Sequence, residues 1–527
     1  MTMSEARFDD VSRAVLPPGT PPVEPRPSRP GAALTGVLAG GVAIGVATLL
    51  AGVMGLLGMG GGTPSPVPAI GSAFIDRTPP WLKDFAISTF GTNDKLALFV
   101  SMGVVLVALC AAIGLLARTR HTLALVLLCT VGALGAAAVL SRPGAAPQDI
   151  IPTVVVGTIL GVRTLGRLQS PSARADSSLT RRRVITGVGA VVAGVVGAKI
   201  SGGSTSASES RAQVTIPAAA TTPLAIDGAS ISVPGITPYV VANDAFYRID
   251  TALVVPRLDT ATWSLRVYGE VEQEITLDWN TLLGKKLEQH LVTLTCVSNE
   301  VGGDLIGNAM WTGWPVRELL AMARPRAGAD MVLSRSSDGF TAGTPLEALT
   351  DDRNALIAVA MNGQALPFEH GFPARLVVPG LYGYVSATKW VTELKVTRFA
   401  ADEGYWTPRG WSAEGPVKTS SRIDVPRRSA SVQAGTVAVA GVAWAQHRGI
   451  ATVEVQVDDG PWQPTRLADE PTIDSWRQWV YEWAATAGRH TLKVRATDRA
   501  GSVQVADEAP PAPNGATGLH TVSVTVT

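Results

Sequence analysis

The chain has 527 residues, with 44 Lys and Arg against 43 Asp and Glu and a formal net charge of +1. That length suits about three domains, and the balanced charge offers no electrostatic grip on nucleic acid. Three cysteines and six scattered histidines exclude a disulfide framework and a zinc-type cage.

Residues 1–30 are Pro-rich, charged and non-periodic, and read as a disordered tail. Five apolar stretches follow, Leu34–Leu57, Leu96–Ala117, Leu123–Leu140, Ile150–Leu165 and Val184–Ile200. Most approach the roughly 20 residues that cross a bilayer core, so residues 31–200 are expected to form an α-helical transmembrane bundle in membrane lipid. Basic residues alternate between the connecting loops. Arg7, Arg13, Arg26 and Arg29 precede the first stretch, Arg118 and Arg120 follow the second, and Arg163, Arg167, Arg174, Arg181, Arg182 and Arg183 precede the fifth. The intervening loops carry Arg77, Lys83 and Lys95 among Asp76, Asp84 and Asp94, then Arg142 alone. The positive-inside rule puts the basic side in the cytoplasm, and an odd number of spans puts everything after Ile200 outside a cell membrane. Thr180-Arg181-Arg182-Arg183-Val184-Ile185 resembles a twin-arginine export signal, and equally suits a plain positive flank. His121 is the one histidine in this half, and the chain has no Cys-x-x-Cys-His. Neither a paired-His nor an attached haem is expected, so electrons are expected to pass to or from a separate electron-transfer protein.

Residues 201–220, rich in Gly, Ser, Thr and Ala, read as a flexible linker. Residues 221–424 have an α+β pattern. Trp263, Leu265 and Val267 alternate with polar residues, Val316–Ala323 has a helical period, and Arg375–Pro379 reads as a buried strand. Cys296 ends the run containing Val292 and Leu294 and enters a loop with Gly302-Gly303. A thiolate there suits a soft metal, and with no Cys or His at metal-site spacing the other ligands would have to come from an organic cofactor. A buried filler is the alternative reading of a lone cysteine.

Thr295-Cys296-Val297-Ser298-Asn299 with Gly307-Asn308-Ala309-Met310-Trp311-Thr312-Gly313 resembles the cofactor-cysteine segment of the sulfite oxidase family. Met361-Asn362-Gly363 through Leu366-Pro367, His370-Gly371-Phe372-Pro373-Ala374-Arg375 and Ser386-Ala387-Thr388-Lys389-Trp390 resemble its second signature. The resemblance runs in order over residues 235–527. It implies a molybdenum–molybdopterin cofactor with Cys296 as metal ligand and catalytic residue. It further implies that His370 and Arg375 bind the pterin, that Ser386 and Lys389 close around its phosphate, and that Asn243, Phe246 and Tyr247 contact the pterin early in the domain.

Residues 425–527 carry short alternating strands, such as Val453/Val455/Val457 and Val522/Val524/Val526, that suggest an all-β immunoglobulin-like sandwich. The region resembles the C-terminal domain that often pairs two subunits in the family, so a homodimer is among its implied partners. Arg448, after Trp444-Ala445-Gln446-His447, resembles the arginine sent into the substrate pocket. The chain departs from the family at Glu300 and Val301, where a basic pair is expected, and at Pro408, where a tyrosine is expected. A negative charge beside an anion site weakens anion binding. The expected activity is therefore oxygen-atom transfer to or from a small sulfur- or nitrogen-containing substrate. Sulfite oxidation proper, and a non-enzymatic membrane-anchored binding or assembly protein without the metal, are the alternatives.

Overall fold

The computed structural model describes residues 28–56, 65–79, 82, 85, 89, 94–142, 145, 147–169, 179–202, 205–221 and 224–527. The tail expected at 1–30 lies almost wholly outside these residues, as does Lys83. The N-terminal part is helical: α1 (Arg29–Leu56), α2 (Pro66–Arg77), α3 (Asp94–Leu116), α4 (His121–Leu140), α5 (Val156–Gln169) and α6 (Leu179–Gly202). Five of its helical segments are long and apolar enough to span a bilayer, the fourth running from Pro147 to Gln169. That fourth segment enters α5 through a π turn at Ile151–Val155. The turn holds Pro152, which lacks the N–H a regular helix would use. Helix α1 sits against α3, α5 and α6 across small residues. Gly36 meets Gly114, Gly45 meets Ala190 and Gly157 meets Ala43, each closer than a side chain would permit. Such contacts let backbones approach where lipid gives no hydrophobic drive.

Helix α2, absent from the sequence expectations, carries the first link to the remainder of the chain. Asp76 near its end accepts from Arg142 at 2.8 Å and from the Tyr405 hydroxyl at 3.3 Å, and Arg409 reaches the Asp76 carbonyl. A second link joins Lys95, at the start of α3, to Asp250 at 2.9 Å.

The expected linker contains a helix, α7 (Thr205–Gln213). It packs on the following domain, with Ala207 fully buried, Ser210 hydrogen-bonded to Thr260, and Arg211 donating to the carbonyls of Leu366 and Ala365. Composition suggested a free tether, and these tertiary contacts override it.

The next region has ten strands: β1 (Ser264–Gly269), β2 (Ile275–Asp278), β3 (Glu288–Thr295), β4 (Ile306–Pro315), β5 (Met331–Ser336), β6 (Thr341–Pro345), β7 (Leu356–Met361), β8 (Gln364–Ala365), β9 (Arg375–Val377) and β10 (Val391–Thr397). One sheet has the order β2-β1-β10-β5-β6, and the other is β3-β4-β7-β8 with β9 on β7. Only the β1–β10 pair is parallel in these two sheets. The expected helix appears over Val316–Ala323 (α8) and buries Val316, Leu319, Leu320 and Ala323. These i, i+3, i+4, i+7 positions form one apolar stripe, which enters a core containing Trp263, Leu265, Trp314 and Leu376.

The C-terminal region has nine strands: β11 (Ser420–Val425), β12 (Ser431–Val432), β13 (Gly435–Trp444), β14 (Ile450–Val457), β15 (Gln463–Pro464), β16 (Arg466–Leu467), β17 (Arg477–Ala485), β18 (Gly488–Asp498) and β19 (Thr521–Val526). Their two sheets, β11-β13-β17-β16 and β12-β19-β18-β14-β15, share one core. Val439 and Trp479 come from the first, and Val453, Val455, Leu492, Val522 and Val524 from the second. The alternation read in the sequence thus buries one face of each strand.

Candidate functional site

Strand β3 ends at Thr295, and Cys296 follows at the mouth of the loop Val297–Gly303. Its amide is held by the Leu305 carbonyl, and its own carbonyl accepts from Asn299 N–H. Asn299 in turn accepts from Leu305 N–H at 2.8 Å, closing the loop on itself. The residue is half-buried. Burial pushes the thiol pKa up, while Ser298 and then Lys389 pull it down.

Tyr247 ties this thiol to the second motif. Burial raises its hydroxyl pKa, Cys296 raises it further, and Arg375 opposes both. Its ring stacks on Phe246 at 5.2 Å, and Phe246 meets Trp311 and His370 edge-on at 5.8 and 5.6 Å. Gly307 on β4 makes room for this: a Cβ there would lie 2.7 Å from the Phe246 ring.

Arg375 opens β9 and is buried. Its guanidinium donates to the carbonyls of Leu376, His370 and Ala387 at 3.2–3.4 Å and lies over Trp311. No carboxylate pairs with it among the described residues. Burial lowers its pKa to about 10, the direction desolvation of a cation gives. Gly371, at φ +111, turns the chain between His370 and Arg375, where a Cβ would come within 3.2 Å of both Arg375 and Lys389.

His370 is buried, and its Nε2–H donates to the Asn243 carbonyl at 2.9 Å. Burial and then Arg375 lower its pKa to about 4, so the ring is neutral and Nδ1 can act as an acceptor. Asn243 is itself fixed, receiving from the Asn362 amide at 2.8 Å and donating to the Met361 carbonyl. Lys389 donates to Asp250 at 2.7 Å and to the Glu369 carbonyl at 3.0 Å. Burial lowers its pKa to about 8 despite Asp250. Asp250 is held well below the ordinary carboxylate range: burial acts upward, and Lys389, Arg248 and Lys95 outweigh it.

The sequence-derived residues Cys296, Asn243, Phe246, Tyr247, His370, Arg375 and Lys389 thus gather in one neighbourhood. Ser386 is buried beside them, and its hydroxyl donates to the Tyr382 carbonyl at 2.9 Å. Arg448 pairs with Asp498 at 3.0 Å, donates to Val417 and Thr419, and acts on the Tyr382 hydroxyl. Tyr382 is buried, and burial and Cys296 both raise its hydroxyl pKa. Neither Tyr382 nor Asn362 was given a site role from the sequence, although Asn362, at φ +51, lies in the Met361-Asn362-Gly363 signature and its Asn-Gly pair marks a turn. Asp250 was missed. Glu300 and Val301, on the loop after Cys296, line an open cleft of about 530 Å³ together with Arg428, Glu508 and His520.

The family described as "Oxidoreductase molybdopterin binding domain" matches residues 252–406. Human mitochondrial sulfite oxidase is 29% identical over 325 residues, covering 52% of this chain and 58% of that protein. The chain therefore spans less than two thirds of the length of this curated relative. The NADPH nitrate reductase of Beauveria bassiana is 30% identical over 172 residues, 28% of this chain and 19% of its own. Among solved structures, the sulfane dehydrogenase SoxCD from Paracoccus pantotrophus aligns with a TM-score of 0.48 and 22% identity, covering 55% of this chain and 81% of that one.

Proposed function

Because the soluble part of this chain belongs to the sulfite oxidase family of molybdopterin oxidoreductases, we propose that it is a membrane-anchored enzyme working on the outer face of the membrane. It transfers an oxygen atom to or from a small sulfur- or nitrogen-containing substrate. The bound molybdenum–pterin group supplies the two-electron change that such a transfer requires.

The observation that carries this reading is the buried guanidinium of Arg375, which has no acidic partner among the described residues and lies near Tyr247, as does Cys296. A buried cation held only by carbonyls is costly unless an anion completes it, and a planar fork suits phosphate oxygens. The donor set fits the cofactor. Cys296 offers one soft ligand, and a bound metal would overcome the burial that disfavours its thiolate. Arg375 and Lys389 offer positive charge for the pterin phosphate, with Ser386 beside them. Phe246 and Tyr247 give a flat apolar wall, and Asn243 fixes His370, whose neutral ring can accept from the pterin.

Contacts between the domain and the helical part support the orientation. Asp76, Lys95 and Arg142 all belong to the loops assigned to the outer side by charge, and all but Arg142 touch the soluble domain directly. Glu300, on the loop that follows Cys296 and where the family has a basic residue, favours a neutral substrate over sulfite. We read the C-terminal sheets as the family's immunoglobulin-like dimerisation domain, and a separate protein as the electron partner.

The deciding experiment is metal and pterin analysis of the full chain purified in detergent, together with dye-linked assays in both redox directions. About one molybdenum per chain is expected, with turnover of an S- or N-oxide or its reduced form. A fully folded chain without molybdenum or pterin would favour the non-enzymatic alternative.

A further inference from the structure

We infer that Lys95, at the start of helix α3, is a positioning residue of the cofactor's phosphate pocket that acts through Asp250 on Lys389. The inference rests on the reading of Lys389 as a phosphate-binding residue, and it adds a residue from the helical part to a pocket otherwise built by the soluble domain.

Asp250 is a buried carboxylate, its side chain 4% exposed, shared by three cations. Lys389 donates to one oxygen at 2.7 Å, Lys95 to the other at 2.9 Å, and Arg248 to the first at 2.8 Å. The single charge of Asp250 is shared among three cations, and the Glu369 carboxylate offsets part of Arg248, so Lys389 does not have Asp250 to itself. Burial and Arg375 both depress the Lys389 pKa.

The two lysines are held differently. The three protons of the Lys95 ammonium match three acceptors, Asp250 Oδ1, the Asp250 carbonyl at 3.1 Å and the Ala252 carbonyl at 2.7 Å. Lys95 therefore fixes both the carboxylate and the backbone that carries it. Lys389 has two acceptors, Asp250 and the Glu369 carbonyl. Its Nζ also lies 4.9 Å from the centre of the Trp390 ring, and with two acceptors it is less saturated than Lys95.

Removing Lys95 would have two effects with the same sign. Asp250 would lose a competing cation and hold Lys389 more strongly, and residues 250–252 would lose their anchor to α3. Both weaken the hold of Lys389 on an incoming phosphate. Groups that orient the residues holding a ligand commonly matter this much without touching the ligand.

The test uses the full chain in detergent, loaded with cofactor, and follows molybdenum and pterin retained per chain during prolonged dialysis. K95Q should lose pterin about tenfold faster than the native chain, in the range expected for an outer-shell partner. K95R, which keeps the charge, should restore retention. D250N removes the carboxylate through which Lys95 acts, so adding K95Q to D250N should not speed pterin release further, because the two residues act in series. K389Q separates the two ideas. If K389Q releases pterin and K95Q does not, the coupling is wrong and the phosphate assignment stands. If K389Q retains pterin, the phosphate assignment itself fails. Strictly additive losses in K95Q and D250N would also overturn the coupling.

Discussion

The guanidinium of Arg375 lies 5.0 Å from the ring centre of Trp311, and its hydrogen bonds all go to main-chain carbonyls. An aromatic face and three carbonyls orient the cation without neutralising it. That difference separates a structural ion pair from a residue held ready for an anion.

Arg375→Lys tests this. Lysine keeps the charge and loses the planar fork, so the variant should fold normally and bind its pterin about 2 kcal/mol more weakly, a loss typical of a bidentate phosphate contact. Pterin content after gel filtration reports the difference.

Cys296→Ser should remove molybdenum-dependent turnover while the unfolding free energy stays within about 1 kcal/mol of the parent, since the exchange of sulfur for oxygen at a half-buried position leaves no cavity. Metal analysis and circular dichroism of the same preparation give both values. Unchanged turnover would remove Cys296 from the chemistry.

Below neutral pH the stability should depend on His520. Its Nδ1 accepts from Ile423 N–H at 3.0 Å, and burial with Arg422 and Arg428 lowers its pKa from the ordinary 6.5 to about 4. Between those values the unfolded chain binds the proton and the folded chain does not. The contribution is therefore complete above pH 6.5 and is lost as the pH falls toward 4. Its size is on the order of 2 kcal/mol. His520→Gln should flatten the thermal midpoint across that window.

Arg448→Met should act on stability. Asp498, whose side chain is 1% exposed, would lose its cation while keeping Thr419 and backbone donors. A cost of about 2 kcal/mol is expected from a buried carboxylate losing a charged partner. Denaturant unfolding of the purified chain measures it, and a change in KM without a change in stability would return Arg448 to the substrate pocket.

Glu300→Lys should lower KM for anionic substrates several-fold and leave neutral ones nearly unaltered, the lower-salt assays showing the larger effect. Steady-state kinetics with sulfite and with a neutral S-oxide provide the comparison. Equal changes for both would mean that residue 300 does not face the substrate.

The parts of this architecture legible in the sequence are those with local causes. Long apolar runs mark the helices, a helical period marks Val316–Ala323, and the residues around Cys296 and His370–Arg375 carry a motif. Asp250 was not legible, because its lysine partners stand 139 and 155 residues away and nothing in Arg248-Ile249-Asp250 hints at either. Helix α7 was hidden for a related reason. Thr205–Gln213 has no apolar face to announce it, and its order comes from one buried alanine and an arginine that reaches residues 365 and 366. The pairing of Arg448 with Asp498 was likewise invisible, because the two stand 50 residues apart.

Gly202 ends the last apolar helix and Thr205 already opens α7, which Arg211 bolts to the domain wall. On the proposed membrane reading, this leash is too short for the catalytic unit to swing like a pendulum toward a distant collaborator. On that reading a partner would come to the domain. A soluble fragment cut at residue 221 would lose α7 and its hold on residues 260, 365 and 366, whereas one begun ahead of Thr205 would keep both.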